Sequence, residues 1–196
     1  MHQQCPREDH LIVHESNQFH RIYDFCKMAS ENDPKPYIQK NMGVKYWASN
    51  PSSFLHRIYI TKSIKFVTIV DNIHISGVEH LNENTAIIGK RHFLMKEYRM
   101  KSAPLTEKAI PAQVKWCKSN SNSYKTILLT YNENHNKLAQ IHRRWIAGKS
   151  IPGYEIGNSI LKEFIEYPEK VEINGQLQYV FYYQFDKRRK LDFTKE

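Results

Sequence analysis

The run "YKTILLTY", Tyr124 to Tyr131, constrains the fold more than any other stretch. It is almost continuously apolar. A strand with one wet face alternates, so this one reads as a strand buried on both faces. Helical patterns flank it. Before it, Leu105, Ala109, Ala112 and Trp116 mark one buried face of a helix over roughly 103–119. Pro111 removes a backbone donor there, so a kink or a later helix start is expected. After it, "NENHNKLAQIHRRW" at 132–145 forms the next helix, with Asn132 or Asn134 as its cap. The strand–helix–strand unit at 85–131 predicts a right-handed crossover between parallel strands. Ligands in such sheets sit beyond the carboxyl ends of the strands, here the loops after Met95 and Tyr131.

Other segments supply the rest of a sheet. "HLIVHE" at 10–15 predicts a first strand, and "SNQFHRIYDFCKMASEN" a helix capped by Ser16. "YIQKNMGVKYW" is a shorter helix or an irregular segment. From Ser63 a three-strand meander follows: 64–71, 73–81 and 85–95, with turns at Asp71–Asn72 and at "NEN", 82–84. Gly89, inside the third strand, marks a bulge or a close backbone approach. Near the end, Asn174–Gly175 between two strand-like runs predicts a tight hairpin.

Composition bounds the class. The 196 residues suffice for one domain with a sizeable core. Twelve Tyr, nine Phe and three Trp argue against disorder. No apolar run approaches a membrane span, and "MHQQCPREDH" has no signal core, so a cytoplasmic protein without membrane contact is expected. Cys5, Cys26 and Cys117 lack metal or redox spacing. His10 and His14 fall in a strand-like run, and no closed metal-ligand set is visible. The formal charge of +9, with clusters at "HRRW" and "DKRRKLDFTKE", favours a polyanion or an anionic cofactor.

The element order resembles the GNAT (Gcn5-related N-acetyltransferase) superfamily, in the style of small bacteriophage-encoded members. Residues 86–145 carry the resemblance. "IIGKRHFLMKEYR" is similar to the family's fourth strand and the approach to its pyrophosphate loop. "LTEKAIPAQVKWCKSNSNSYKTILLTYNENHNKLAQIH" is similar to the helix, strand and helix that follow, and "EKVEINGQLQYVFYY" to the closing hairpin. The resemblance implies one α/β domain: a mixed, mostly antiparallel sheet flanked by helices and closed by a C-terminal hairpin. Its parts would be 1–62 (first strand and helices), 63–145 (acyl-CoA-binding core) and 146–196 (loop, hairpin and basic tail).

The activity implied is acyl transfer from acetyl-CoA to an amine. Phe93, Leu94 and Met95 would offer backbone donors to the thioester. Arg99, Met100, Lys101, Ser102 and Ala103 would hold the pyrophosphate at a helix start, and Asn136 would touch the pantetheine arm. The family's loop has two glycines. Here Ser102 and Pro104 stand at those places, and Pro104 offers no N–H. Candidate bases are Glu79 and His92, with His80 and Glu83 behind them. The family's acid is a helix tyrosine. Here His142 and Arg143 lie near that place, and Tyr131 is the nearest tyrosine. The acceptor could be a small molecule, a protein, or an anionic carrier such as tRNA or DNA. A homodimer stays open, as do a nucleic-acid-modifying enzyme with another donor and a non-catalytic binding or inhibitor protein.

Overall fold

A computed structural model describes residues 11–14, 61, 63–70, 74–94, 102–119, 124–149 and 160–196. The apolar run becomes strand β5, Thr126–Asn132, whose residues from Thr126 to Leu129 are buried. It lies inside an eight-stranded sheet. The other strands are β1 (Leu11–His14), β2 (Ile64–Val70), β3 (His74–Asn82), β4 (Thr85–Leu94), β6 (Ile165–Glu166), β7 (Val171–Ile173) and β8 (Gln176–Gln184). Their order is β1-β2-β3-β4-β5-β8-β6, and β7 also pairs with β8. Strands β4 and β5 are parallel. Every other pair is antiparallel. Helix α1 (Ser102–Lys118) makes the crossover between β4 and β5, and α2 (Asn136–Ile146) follows β5. The result is the mixed, mostly antiparallel sheet expected from the sequence.

Period-two alternation divides the core. Phe66, Val78, Ile88, Ile127, Leu129 and Phe181 pack with Ile110 and Val114 of α1 and Ala139 of α2. Leu81, Ile87, Leu128, Ile173 and Val180 form a second cluster. β5 supplies residues to both clusters in turn, which is why its sequence is apolar throughout. The closing hairpin turns at Asn174 and Gly175, with φ of 54° and 75°. Two successive positive φ values give a turn whose twist suits the flanking strands, and Asn-Gly is the pair that tolerates them.

Three expectations need correction. Helix α1 starts at Ser102, not later, and runs through Pro111, whose side chain is exposed. Pro104 is tolerated because a first-turn residue has no intrahelical acceptor for its N–H. The buried face of α1 is Ala109, Ile110, Gln113, Val114 and Cys117, rotated from the stripe expected through Ala112 and Trp116. Trp116 is half-buried instead and stacks on Phe66, with ring centroids 5.2 Å apart. Thirdly, 132–145 is not one helix. A 3-10 turn, Glu133–His135, precedes α2, and Asn132 caps that turn by accepting from the Asn134 amide. The helices expected over 16–31 and 37–47 and the Asp71–Asn72 junction lie outside the described residues.

Gln113 faces inward because the sheet beneath it needs a polar partner. Strand β4 has one extra residue at Ile88–Gly89, where one β3 residue, Val78, stands opposite two. Gly89 has φ of 63°, and its N–H donates to Gln113 Oε1 at 2.7 Å. The Gln113 Nε2 group donates to Thr68 Oγ1 and Ser76 Oγ, both at 2.9 Å. Thr68 Oγ1 also donates to the Ser76 carbonyl at 3.2 Å. One fully buried amide therefore ties α1 to three adjacent strands.

The segment after β8 is not a free basic tail. Asn82 Nδ2 donates to the carbonyls of Asp192 and Thr194, and Thr85 Oγ1 donates to that of Asp192. The Glu196 amide donates to the Leu81 carbonyl. Phe193 meets Tyr167 edge-on at 4.9 Å. Residues 192–196 thus lie along the turn between β3 and β4.

Replacing Gln113 with Leu keeps the side chain's bulk but leaves the Gly89 amide and two hydroxyls short of partners. Loss of about 2–3 kcal/mol of unfolding free energy is expected in urea titration. A loss below about 0.5 kcal/mol would mean that water or neighbouring groups repair the network.

Candidate functional site

Strands β4 and β5 pair at Thr85↔Thr126, Ala86↔Ile127 and Ile87↔Leu128. Both then continue, β4 to Leu94 and β5 to Asn132, with no further pairing between them among the described residues. The parting begins at the Ile88–Gly89 bulge. There the Gly89 amide turns to Gln113 instead of to a neighbouring strand. A wedge opens between two parallel strands at their carboxyl ends. Helices α1 and α2 begin after those same ends, at Ser102 and Asn136. Helix starts carry unpaired N–H groups and positive potential. This is the place expected for a ligand.

The β5 wall of the wedge carries Thr130 and Tyr131. The Thr130 hydroxyl is buried without a hydrogen-bond partner among the described residues. Tyr131 Oη lies 3.3 Å from His142 Nδ1, and its ring meets Phe181 edge-on at 5.7 Å. His142 lies on α2 and faces inward. It is fully buried, stacked on Phe181 with centroids 4.1 Å apart. Its Nε2 lies 3.1 Å from the Leu161 carbonyl. A carbonyl only accepts, so Nε2 carries the proton and Nδ1 accepts the Tyr131 O–H. Burial lowers the His142 pKa to about 4, against which the Leu161 carbonyl and Glu166 pull upward. Burial also pushes the Tyr131 hydroxyl well above the ordinary tyrosine range. Both groups are therefore neutral at pH 7.

Glu79 is buried on β3, beside Ile87 of β4, the residue at which the β4–β5 pairing ends. His80 faces elsewhere. Its Nδ1 lies 2.7 Å from Tyr124 Oη and its Nε2 2.9 Å from Glu196 Oε2. Glu83 is exposed in the β3–β4 turn, and its amide donates to Glu196. His80 and Glu83 thus belong to the docking of residues 192–196. His92 is the extra residue of a second β4 bulge, between the pairs Ile75↔Phe93 and Ser76↔Arg91. Phe93 and Leu94 end the strand opposite Ile75 and His74. Ser102 and Ala103 open α1. Met95, Arg99, Met100 and Lys101 lie outside the described residues. Asn136 is exposed and helical, at the first position of α2.

The sequence reading passed over Gln113 and Thr130. Gln113 is a polar residue on the inward face of α1, a signal that a helix-stripe reading discards. Next to His142 in sequence, Arg143 anchors α2. Its guanidinium meets Glu166 at 2.7–2.9 Å and lies over the Tyr179 ring at 5.0 Å. The Glu166 hydrogen bonds raise the Arg143 pKa further, so this cation is fully committed.

No protein-family model and no curated protein matches the chain. Several solved structures are similar to it. An acetyltransferase from Streptococcus agalactiae is 12% identical, with 91% of this chain and 99% of that chain covered and a TM-score of 0.49. A spermidine N-acetyltransferase chimera from Vibrio cholerae and hSSAT is 14% identical, with 89% and 94% covered and a TM-score of 0.46. A GNAT family acetyltransferase from Elizabethkingia anophelis, solved with acetyl-CoA bound, is 13% identical, with 69% and 85% covered and a TM-score of 0.40. At such identities and scores no activity or residue role passes from them to this chain.

His142 makes stability depend on pH. In the unfolded chain it titrates near 6.5, and in the folded chain near 4. Between these values the unfolded state binds the extra proton, so stability falls as pH drops through the window. The contribution is up to about 3 kcal/mol. His142→Phe should flatten the slope of unfolding free energy between those pH values. An unchanged slope would assign the acid sensitivity to other groups.

Proposed function

We propose that the chain is an acyl-CoA-dependent N-acyltransferase, most simply an N-acetyltransferase. One observation carries this reading: β4 and β5 are parallel neighbours that pair over Thr85–Ile87 and Thr126–Leu128 and then diverge. A thin, amide-bearing arm can lie in such a gap like an added strand, bonding backbone groups on either wall. The Thr130 hydroxyl on the β5 wall is a further group that a ligand could satisfy. The pyrophosphate of the donor would then reach the start of α1. Ser102 and Ala103 would supply backbone N–H groups there, Arg99 and Lys101 cations, and Met100 a backbone amide. Asn136, exposed at the start of α2, would meet the arm's amides.

In the reaction, the acceptor nitrogen attacks the thioester carbonyl, the C–S bond breaks, and the thiolate takes a proton. Amides of Phe93, Leu94 and Met95 would steady the oxyanion. Glu79 or His92 would take the amine proton, directly or through water. Tyr131 is the better acid of the two considered, because it keeps its proton and stands on the wedge wall. His142, buried beneath it, serves as a positioning residue, holding the phenol by its Nδ1.

Thermal denaturation with acetyl-CoA and with CoA tests the reading. Ligand at about 100 times its dissociation constant should stabilise the protein by about 2.7 kcal/mol, a shift of several degrees. No shift with either compound would sink it. Tyr131→Phe should cut turnover of an amine acceptor by about 100-fold while leaving the acetyl-CoA shift in place. Unchanged turnover would remove Tyr131 as the acid.

A further inference from the structure

The end of the sheet opposite the wedge collects cations from separate parts of the chain. Helix α1 finishes there with Lys115 and Lys118, both exposed. The Trp116 ring between them lies 6.3 Å from that of Tyr124, one residue before Lys125. The Lys125 carbonyl accepts from the amides of Phe185 and Asp186, so it holds the start of the turn after β8. That turn presents Lys187, Arg188, Arg189 and Lys190, all exposed.

Of the acids nearby, Asp186 is paired with a cation, while Asp192, Glu196 and Glu83 accept hydrogen bonds and keep their charge. Asp186 accepts from the Arg188 amide at 3.1 Å and from its guanidinium at 3.0 and 3.2 Å, fixing the turn. Asp192 accepts from the Thr194 amide and hydroxyl. Glu196 accepts from His80 and from the Glu83 amide. By contrast Lys115, Lys118, Lys125, Lys187, Arg189 and Lys190 form no ion pair among the described residues. Six cations on a scaffold fixed by β5, β8 and α1 outnumber the carboxylates of Glu83, Asp192 and Glu196 at this end and make a net positive field.

We infer that this basic end docks the phosphate backbone of a nucleic acid. A phosphodiester chain repeats its charge along its length, and a band of cations drawn from a helix end, a strand start and a turn suits such a ligand. An anionic membrane fits less well. The large apolar side chains exposed among the described residues are Leu138, Ile146, Ile165 and Leu177, none of them in this band. Membrane-surface binding usually adds apolar insertion to charge. Docking at this end leaves the wedge open and does not depend on which donor the wedge takes.

The test is a salt titration with the full chain. Fluorescence anisotropy would follow binding to a short duplex DNA and to an RNA hairpin. Six phosphate contacts should give a slope of log K against log salt of about −5, and about a 1,000-fold loss between about 50 and 200 mM salt. The triple substitution Lys187→Ser, Arg189→Ser and Lys190→Ser lies on exposed side chains and should leave the thermal midpoint in place. It should reduce the slope by about 3. No binding to either nucleic acid at the low-salt end, or an unchanged slope in a folded triple variant, would overturn the inference. So would tight binding to phosphatidylserine vesicles that neither nucleic acid displaces. A second variant, Lys115→Ser with Lys118→Ser, should reduce the slope by about 2 and so show that α1 shares the contact.

Discussion

The hydrogen bond from the Gly89 amide to Gln113 organises the middle of the sheet. Strand β4 must do two incompatible things. It must pair with β5 at its start and leave β5 at its end. A regular strand cannot bend away from a parallel neighbour without stranding an amide in the core, and a stranded amide costs more than a made bond gains. The bulge at Ile88–Gly89 supplies the bend, and a left-handed φ at Gly89 makes it sterically permissible. Gln113 then answers the freed amide and passes its own two protons to Thr68 and Ser76. Each of these polar groups would be a liability alone. Together they let two strands diverge inside a packed core.

The same bond links the wedge to the helix that follows it. α1 is held over β2, β3 and β4 by Gln113 in its fourth turn, with Ile110, Val114 and Cys117 on the same face. Cys117 is a packing residue, its thiol pushed up to about 12 by burial. Fixing the helix axis fixes where its first turn begins, near the mouth of the wedge, and where its last turn ends, beside Lys125. The two ends of the sheet therefore have different chemistry for one structural reason. The carboxyl ends of β4 and β5 have unpaired edges and helix starts. The opposite end has close pairing, a docked segment from 192 to 196, and the basic band.

Much of this was legible in the sequence. "YKTILLTY" placed β5 in the interior, and β8's partner turn was written in Asn174–Gly175. The parallel β4–β5 pair followed from the helix between them. Side-chain environment was harder to read. Nothing beside His142 in the sequence marks it as buried, since Arg143 and Arg144 adjoin it. A helix pattern ranks residues by polarity, and an imidazole whose two nitrogens both find buried partners violates that ranking. Gln113 violates it in the same way. The segment "DKRRKLDFTKE" read as a basic tail. Its second half docks through backbone carbonyls, which carry no residue-type signal, and only Glu196 and Phe193 add side-chain contacts. The register of a bulge was also hidden, although Gly89 pointed to one.

If the chain takes a donor such as acetyl-CoA, as proposed, Ser102 and Pro104 would bear differently on two parts of it. Glycines in a phosphate loop let the backbone approach closely and present several N–H groups together. Pro104 removes one donor from the first turn of α1, so grip on a pyrophosphate would shift towards cationic side chains and become more sensitive to salt. The arm of such a donor does not depend on that loop. It would be held by strand edges whose separation is set by Gly89 and Gln113, deep in the fold. Under the proposed function the slot would then not depend on loop glycines, because Gly89 and Gln113 hold the strands apart from within the core.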